Sequence, residues 1–367
     1  MTDSLMDHLE EGARDRIQAW DTLELSERES RLLLRHASLL LADPYGDLDA
    51  FREAADAAWA FALSPCTRDL VHQLVDGTSR RPELYVTGLP IIDDLPPTPI
   101  ADAGGRSVAS SLSEFLMMTF CAGLGSPISY PDQRRGSVFH DVFPTPGNAA
   151  QVSSQSSEVS LGFHTEMFFH PDPPDFLLIH CLRSDPAGKA VTAVAALDDI
   201  ERELTARERF VLRQQLFAVD LAHLHGSYVC GGRPIRESDP RPVISVTDSG
   251  ADGRLRFEPE LTTALTDEAR EALHRADEVA GRVAATGSLR AGGMLLLDNR
   301  RAAHSRSPFP AAFDGSDRWL RRMMVGATRS SASAVDHRDV MELAHAWAEL
   351  DVRLDVLPYE IRHQEVK

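Results

Sequence analysis

The residues whose types and spacing could do chemistry concentrate in one stretch of this 367-residue chain, Leu161-Gly162-Phe163-His164-Thr165-Glu166-Met167-Phe168-Phe169. Its aromatic and branched composition predicts a strand. On a strand, residues two apart share a face, so the His164 imidazole and the Glu166 carboxylate would stand side by side. That is two-thirds of the 2-His-1-carboxylate set, which holds Fe(II) on one side and leaves the opposite positions open. A chain with 14 His and 56 acidic residues also contains such pairs by chance, as a plain polar strand face. A third ligand is therefore needed. The candidate is His304, in Leu297-Asp298-Asn299-Arg300-Arg301-Ala302-Ala303-His304-Ser305-Arg306, with Arg318 fourteen residues further on, just before Trp319.

These residues need a frame that brings distant segments together. The text up to about Val75 is helical: Ser26 and Glu29 form a capping-box pattern ahead of the apolar run Leu32 to Leu41, and an Ala-rich helix spans Leu48 to Leu63. Glu83 to Thr87 reads as a short strand, Gly88 to Pro99 as a rigid extended loop and Ser111 to Leu124 as a helix. The polar stretch Ser126 to Ser157, broken by Gly136, Pro144, Pro146 and Gly147, reads as a long functional loop. Strands are expected at Asp175 to Leu182, Ala190 to Ala196, Gly292 to Asp298 and Trp319 to Ala327, with Asn299 to Pro310 as a loop. Helices are expected from Thr205 through Leu216 and over Thr266 to Ala285. Strands without βα alternation predict a mainly β fold with helical decoration, a sandwich or jelly roll. No repeat or linker divides the chain, so one domain over residues 1–367 is expected, with 1–80 as helical support and about 223–262 as a lid or insert.

Composition narrows the partners. A net charge of -18 argues against nucleic acid and anionic membranes, which need a concentrated basic surface. No apolar run approaches the ~20 residues of a membrane span, and the N-terminus lacks the order of a signal peptide. Cys66, Cys121, Cys181 and Cys230 form no Cys-x-x-Cys pair, which suits reduced thiols and a cytoplasmic location.

His164-x-Glu166, His304 and Arg318 together resemble the iron(II)/2-oxoglutarate-dependent oxygenases, and within them the clavaminate synthase-like group, closest to the arginine/asparagine-type free amino acid hydroxylases. The resemblance runs through Gly88-Leu89-Pro90 to Pro99, the His-Thr-Glu segment and the block from Asp298-Asn299-Arg300 to Arg322. Glu rather than the commoner Asp in the first motif is similar to that group. The resemblance implies a double-stranded β-helix (jelly-roll) core, His164, Glu166 and His304 as Fe(II) ligands, and 2-oxoglutarate and O2 as cosubstrates. Arg318 would fork the far carboxylate of 2-oxoglutarate, a task for which Lys is not equivalent. Thr192, in the strand position of the family's cosubstrate threonine, would add a hydroxyl. Otherwise it is an ordinary branched strand residue. Retention of Glu166 disfavours halogenation, for which relatives give up the carboxylate.

By position, the resemblance carries the substrate's carboxylate to Arg322, its amine to Glu166 and Gln133, with Ser154 nearby, and its side chain to the lid carboxylates Glu258 and Glu260. Related arginine hydroxylases use Asp at the lid, so Glu is a departure that changes the shape of the side-chain site. Two carboxylates there favour a basic or ureido amino acid such as arginine or a cyclised arginine, citrulline or lysine, hydroxylated at Cβ or Cγ in natural-product biosynthesis. On a bland reading they are solvated turn carboxylates. Arg300, Arg301, Arg306 and Arg321 read as loop and strand charges, and His140, His170, His180 and His225 as structural or exposed. Desaturation, cyclisation or epoxidation on the same centre, a non-oxygenase jelly-roll metal enzyme, and a binding module remain open at this point. Oligomeric state is unreadable.

Overall fold

The computed structural model describes residues 19–92, 94–101, 110–130, 136–219, 229–230, 233–234, 239–246 and 253–327. Gln133, His225 and residues 223–228, 231–232, 235–238 and 247–252 of the 223–262 insert lie outside them. The strands that build the two sheets are, in chain order, β1 (Thr22–Glu24), β2 (Glu83–Thr87), β3 (Ser126–Ile128), β4 (His140–Val142), β5 (Leu161–His164), β6 (Phe176–Arg183), β7 (Thr192–Ala196), β8 (Ala285–Gly287), β9 (Met294–Asp298), β10 (Ala302–Arg306) and β11 (Trp319–Gly326). The helices are α1 (Glu27–Ser38), α2 (Leu48–Ala62), α3 (Pro65–Val75), α4 (Leu112–Leu124), α5 (Leu197–Glu203), α6 (Ala206–Leu212) and α7 (Asp267–Val283).

A seven-stranded sheet runs β1-β2-β9-β6-β11-β3, with β4 also beside β11. A four-stranded sheet runs β8-β7-β10-β5. Their two-residue alternation sorts the core into layers. On β6, Leu177, Ile179 and Cys181 face the space between the sheets, where they meet Val194 of β7, Ala302 of β10 and Leu320 of β11. The alternate residues Phe176 and Leu178 turn outward against Phe51 and Trp59 of α2 and Phe115 and Leu116 of α4. The four-stranded sheet turns Ala193, Ala195 and Ala303 onto Leu273, Ala276 and Ala280 of α7. The result is a helix–sheet–sheet–helix stack, with each buried Leu or Phe contributing about 1.5–3 kcal/mol.

The helical support forms as its sequence dictates. Ser26 and Glu29 close the expected capping box of α1, and Glu29 reaches further: it accepts hydrogen bonds from Ser64 N (2.9 Å) and Thr67 Oγ1 (2.7 Å), joining the starts of α1 and α3. Gly123 of α4 sits under the Trp59 indole, where a Cβ would come within 2.3 Å of the ring, so α2 and α4 approach closely only because that position is glycine. Among the described residues no helix is long and apolar enough to cross a membrane.

The structure departs from the sequence expectations in several places. The segment expected as a loop, Asn299 to Pro310, contains β10, a central strand of the smaller sheet. The strand expected over Leu161 to Phe169 ends at His164, and a turn follows. The Thr205–Leu216 helix is shorter, at Ala206–Leu212, although its Thr205/Glu208 capping box is present. Arg321 is a strand charge on β11 as expected, and it is fully buried between Glu114 of α4 (2.6 Å) and Asp141 of β4 (2.9 Å). Of the alternatives structural or exposed, His140 and His180 take the structural one, and both are buried. His180 bonds Ser113 of α4 through Nδ1 (2.9 Å), and burial pushes its imidazole down to about 3.

Candidate metal and cosubstrate site

Strands β5 and β10 lie side by side and antiparallel, with His164 directly opposite His304. Their ring centres are 4.2 Å apart, tilted by 44°. Glu166 arrives from the turn after β5 rather than from the strand itself, yet it completes the set: one donor atom from each of His164, Glu166 and His304 lies within 4.8 Å of the others. Glu166 and His304 are buried and His164 is half-buried.

The local hydrogen bonds prepare the two imidazoles as ligands. His164 Nδ1–H donates to the Gly162 carbonyl at 2.9 Å, which leaves Nε2 as the unprotonated nitrogen. His304 Nδ1 is buried and has no hydrogen-bond partner among the described residues. Burial lowers both imidazoles from their ordinary range, and for His304 the neighbouring His164 and Arg322 push the same way. Neutral imidazoles are what a metal requires. A buried carboxylate, two neutral imidazoles and an unsatisfied buried nitrogen on one side of a cavity fit a facially held divalent metal.

Glu166 is held from three sides. Asn299, at the end of β9, accepts from the Glu166 backbone N–H (2.7 Å) and donates to the Glu166 carbonyl (3.1 Å) and the Pro174 carbonyl (2.9 Å). Thr165 N–H donates to the Phe257 carbonyl (2.7 Å), and Phe257 N–H donates to Thr165 Oγ1 (3.0 Å), clamping the turn to the 256–258 segment. Arg322 Nη1–H donates to Glu166 Oε2 at 2.8 Å. Met167, the next residue, has φ of 52°, a left-handed conformation unusual for Met that these bonds maintain. Arg322 in turn donates from Nη2 to His140 Nδ1 (3.0 Å), whose Nε2–H donates to the Ser137 carbonyl (2.7 Å). His140 thus orients the arginine on the Glu166 carboxylate.

The candidate metal set opens into a solvent-facing cavity. Ser154, Thr192, Arg318 and Arg322 line it together with His164, Glu166 and His304. Arg318 is buried and makes no ion pair among the described residues; its Nε lacks a partner, its guanidinium lies 4.8 Å from the Phe309 ring centre, and burial pushes it down to about 10. Thr192 is buried on β7, opposite Arg306. The proposed lid carboxylates lie outside the cavity lining but beside β5: the Glu260 carboxylate comes within 3.5 Å of a Cβ position on Gly162. Glu258 is buried and Glu260 exposed. Burial first, then Glu260 and Glu166, raise Glu258 to about 9. Sequence reasoning gave no role to Asn299, His140, Arg306 or Phe309. Arg306 carried no signal of one because its segment reads as a loop; only the observed strand β10 puts it on the same face as His304.

A two-sheet sandwich with a buried His–Glu–His set and an uncountered arginine beside it defines the class of non-haem iron(II) oxygenases that use a 2-oxo acid. Residues 111–324 match the taurine catabolism dioxygenase TauD, TfdA family, and the chain belongs to that family. It is 30% identical over 312 residues to an L-lysine 3-hydroxylase of Catenulispora acidiphila, covering 84% of each chain. It is 32% identical over 298 residues to an enduracididine beta-hydroxylase of Streptomyces hygroscopicus, covering 74% of this chain and 84% of the relative. Among solved structures it is similar to asparagine oxygenase in complex with Fe(II), 2S,3S-3-hydroxyasparagine and succinate: TM-score 0.73, 28% identity, 84% of this chain and 93% of the other. The chain is accordingly an iron(II)/2-oxoglutarate-dependent amino acid oxygenase.

Proposed function

We propose that this enzyme hydroxylates Cβ or Cγ of a free amino acid with a basic or ureido side chain, coupled to decarboxylation of 2-oxoglutarate to succinate, within natural-product biosynthesis. The observation that carries the substrate class is Glu258: a buried carboxylate beside the metal-bearing turn, with Glu260 next to it and no cationic partner among the described residues. A buried carboxylate without a partner is costly unless a ligand supplies the opposite charge or donor hydrogens. The relatives that act on lysine and enduracididine support the same class.

In this reading the fold is one jelly-roll domain over residues 1–367, with 1–80 as support and 223–262 as the lid. His164, Glu166 and His304 hold Fe(II), and Arg318 and Thr192 receive the far carboxylate of 2-oxoglutarate. Bound Fe(II) supplies the activation of O2 and the oxidation of the C–H bond. Arg322 meets the substrate carboxylate while keeping its bond to Glu166; Glu166, Gln133 and Ser154 meet the amine. Glu258 and Glu260 take the side-chain end, so the substrate is gripped at both ends. Orientation then selects the carbon that reacts. The arginines and carboxylates of the cavity exclude bulk water once ligands fill it. The enzyme acts in the cytoplasm on a small molecule, with neither nucleic acid nor membrane as partner.

The test is incubation with Fe(II), 2-oxoglutarate and a panel of free amino acids, with succinate and product mass measured. Gain of one oxygen by arginine, citrulline, lysine or a cyclised arginine is expected. Oxygen gain confined to neutral aliphatic or acidic amino acids would overturn the substrate class.

A further inference from the structure

We propose that Arg306 is a second cation for the far carboxylate of the 2-oxo acid cosubstrate, acting beside Arg318 and making the site selective for a dicarboxylic 2-oxo acid. This rests on the reading of Arg318 and Thr192 as cosubstrate residues. The alternation of β10 puts Arg306 on the same face as His304, and the β7 register sets it directly opposite Thr192. It lines the same cavity as Thr192 and Arg318. Both arginines pack on one ring: the guanidinium carbon of Arg306 is 5.1 Å from the Phe309 centre and that of Arg318 is 4.8 Å.

Neither arginine has an acidic partner among the described residues, and each keeps a buried nitrogen without a hydrogen-bond acceptor, Nη1 of Arg306 and Nε of Arg318. The other arm of Arg306 is committed. Its Nη2 donates to Ser156 Oγ (2.7 Å) and to the Val159 carbonyl (3.1 Å), which fixes the plane of the fork and leaves Nη1 over. Two buried like charges around one aromatic ring require an anion. A 2-oxo acid whose C1 end is committed to the metal offers one only if its far end is a carboxylate. A neutral far end would leave both forks unpaired, so the pair discriminates by penalising the wrong cosubstrate as well as by holding the right one.

The experiment is anaerobic calorimetric titration of the iron(II)-loaded full chain with 2-oxoglutarate and with 2-oxopentanoate, which has a methyl in place of the far carboxylate. Arg306→Gln is expected to weaken 2-oxoglutarate binding about tenfold, the worth of a charge-assisted bond, and to leave 2-oxopentanoate within about twofold of wild type. Arg306→Lys, which keeps charge without the fork, should fall between Arg306→Gln and wild type for 2-oxoglutarate. Ser156→Ala, which leaves the Val159 carbonyl holding the same arm, should weaken 2-oxoglutarate binding by less than Arg306→Gln does and leave 2-oxopentanoate within about twofold of wild type. Equal weakening of both acids by Arg306→Gln, no weakening of either, or a loss with Ser156→Ala matching that of Arg306→Gln would overturn the proposal. If instead Arg318→Gln leaves 2-oxoglutarate binding unchanged, the parent reading of Arg318 fails, and this inference with it.

Discussion

Replacing Asn299 by Ala removes the bracket on Glu166 without touching any residue of the candidate metal set. The side chain makes three buried hydrogen bonds, at 2.7 Å from Glu166 N, 3.1 Å to the Glu166 carbonyl and 2.9 Å to the Pro174 carbonyl. Truncation leaves one buried N–H with no acceptor and takes a donor from each of two carbonyls. An unsatisfied buried donor costs about 1–3 kcal/mol, and the carbonyls add less because they retain other lone pairs, so the loss should total roughly 3–5 kcal/mol. The Glu166 turn should also relax toward ordinary backbone at Met167, whose φ of 52° the bracket maintains. Misplacing a ligand in this way typically weakens metal binding by about 10–100-fold. Urea unfolding reads the first quantity, and anaerobic Fe(II) titration of the folded variant reads the second. Asn299→Asp provides a sharper variant: it preserves the acceptor for Glu166 N but turns a carboxylate oxygen toward two carbonyls, and should be at least as destabilising. A variant within about 1 kcal/mol of wild type whose Fe(II) affinity is unchanged would refute the bracket.

Other expectations follow from the same geometry. Burial works against ionisation of Glu29, but the hydrogen bonds it accepts from Ser26, Ser64 and Thr67 outweigh it and pull the carboxyl from 4.5 to about 2. Because the folded value is the lower one, this stabilisation, roughly 3 kcal/mol, is present above pH ~5 and lost as pH falls toward 2. The stability gap between wild type and Glu29→Gln, measured by urea unfolding, should therefore shrink over that window; a pH-independent gap would contradict it. Glu258, raised to about 9, is protonated near neutral pH in the free enzyme, so a cationic amino acid should expel approaching one proton on binding at pH ~8. Calorimetry in buffers of differing ionisation enthalpy reads this release, which Glu258→Gln should abolish.

The candidate metal set was legible because a His-x-Glu pair, a distant His and a following Arg combine residue types that few other structures need at that order, and the structure brings His164, Glu166 and His304 together. Their placement was less legible. Ala302-Ala303-His304-Ser305-Arg306 has little intrinsic strand preference and follows Asn299-Arg300-Arg301, so it reads as a loop. It is a strand because its small residues let β10 lie close on both sides, with Ala302 toward the other sheet and Ala303 toward the α7 layer. The reverse error occurred after β5, where Phe168 and Phe169 look like strand residues but lie in the turn that Asn299 and Phe257 hold. The helical support was readable from capping boxes and apolar spacing, which are local signals. Arg321 and His140 were not, since their partners, Asp141 and Arg322, lie 180 and 182 residues away along the chain. Long-range pairing of that kind leaves no mark within a short window of sequence.

His164, Glu166 and His304 are proposed as the metal centre of a 2-oxoglutarate-dependent hydroxylase. The direct measurement is succinate formation and oxygen gain by the amino acid that the wild-type enzyme accepts, repeated with Glu166→Ala and His304→Ala under identical Fe(II) and 2-oxoglutarate. Wild-type enzyme should form succinate and hydroxylated product together, and both variants should form neither. Undiminished product from either variant would contradict the account.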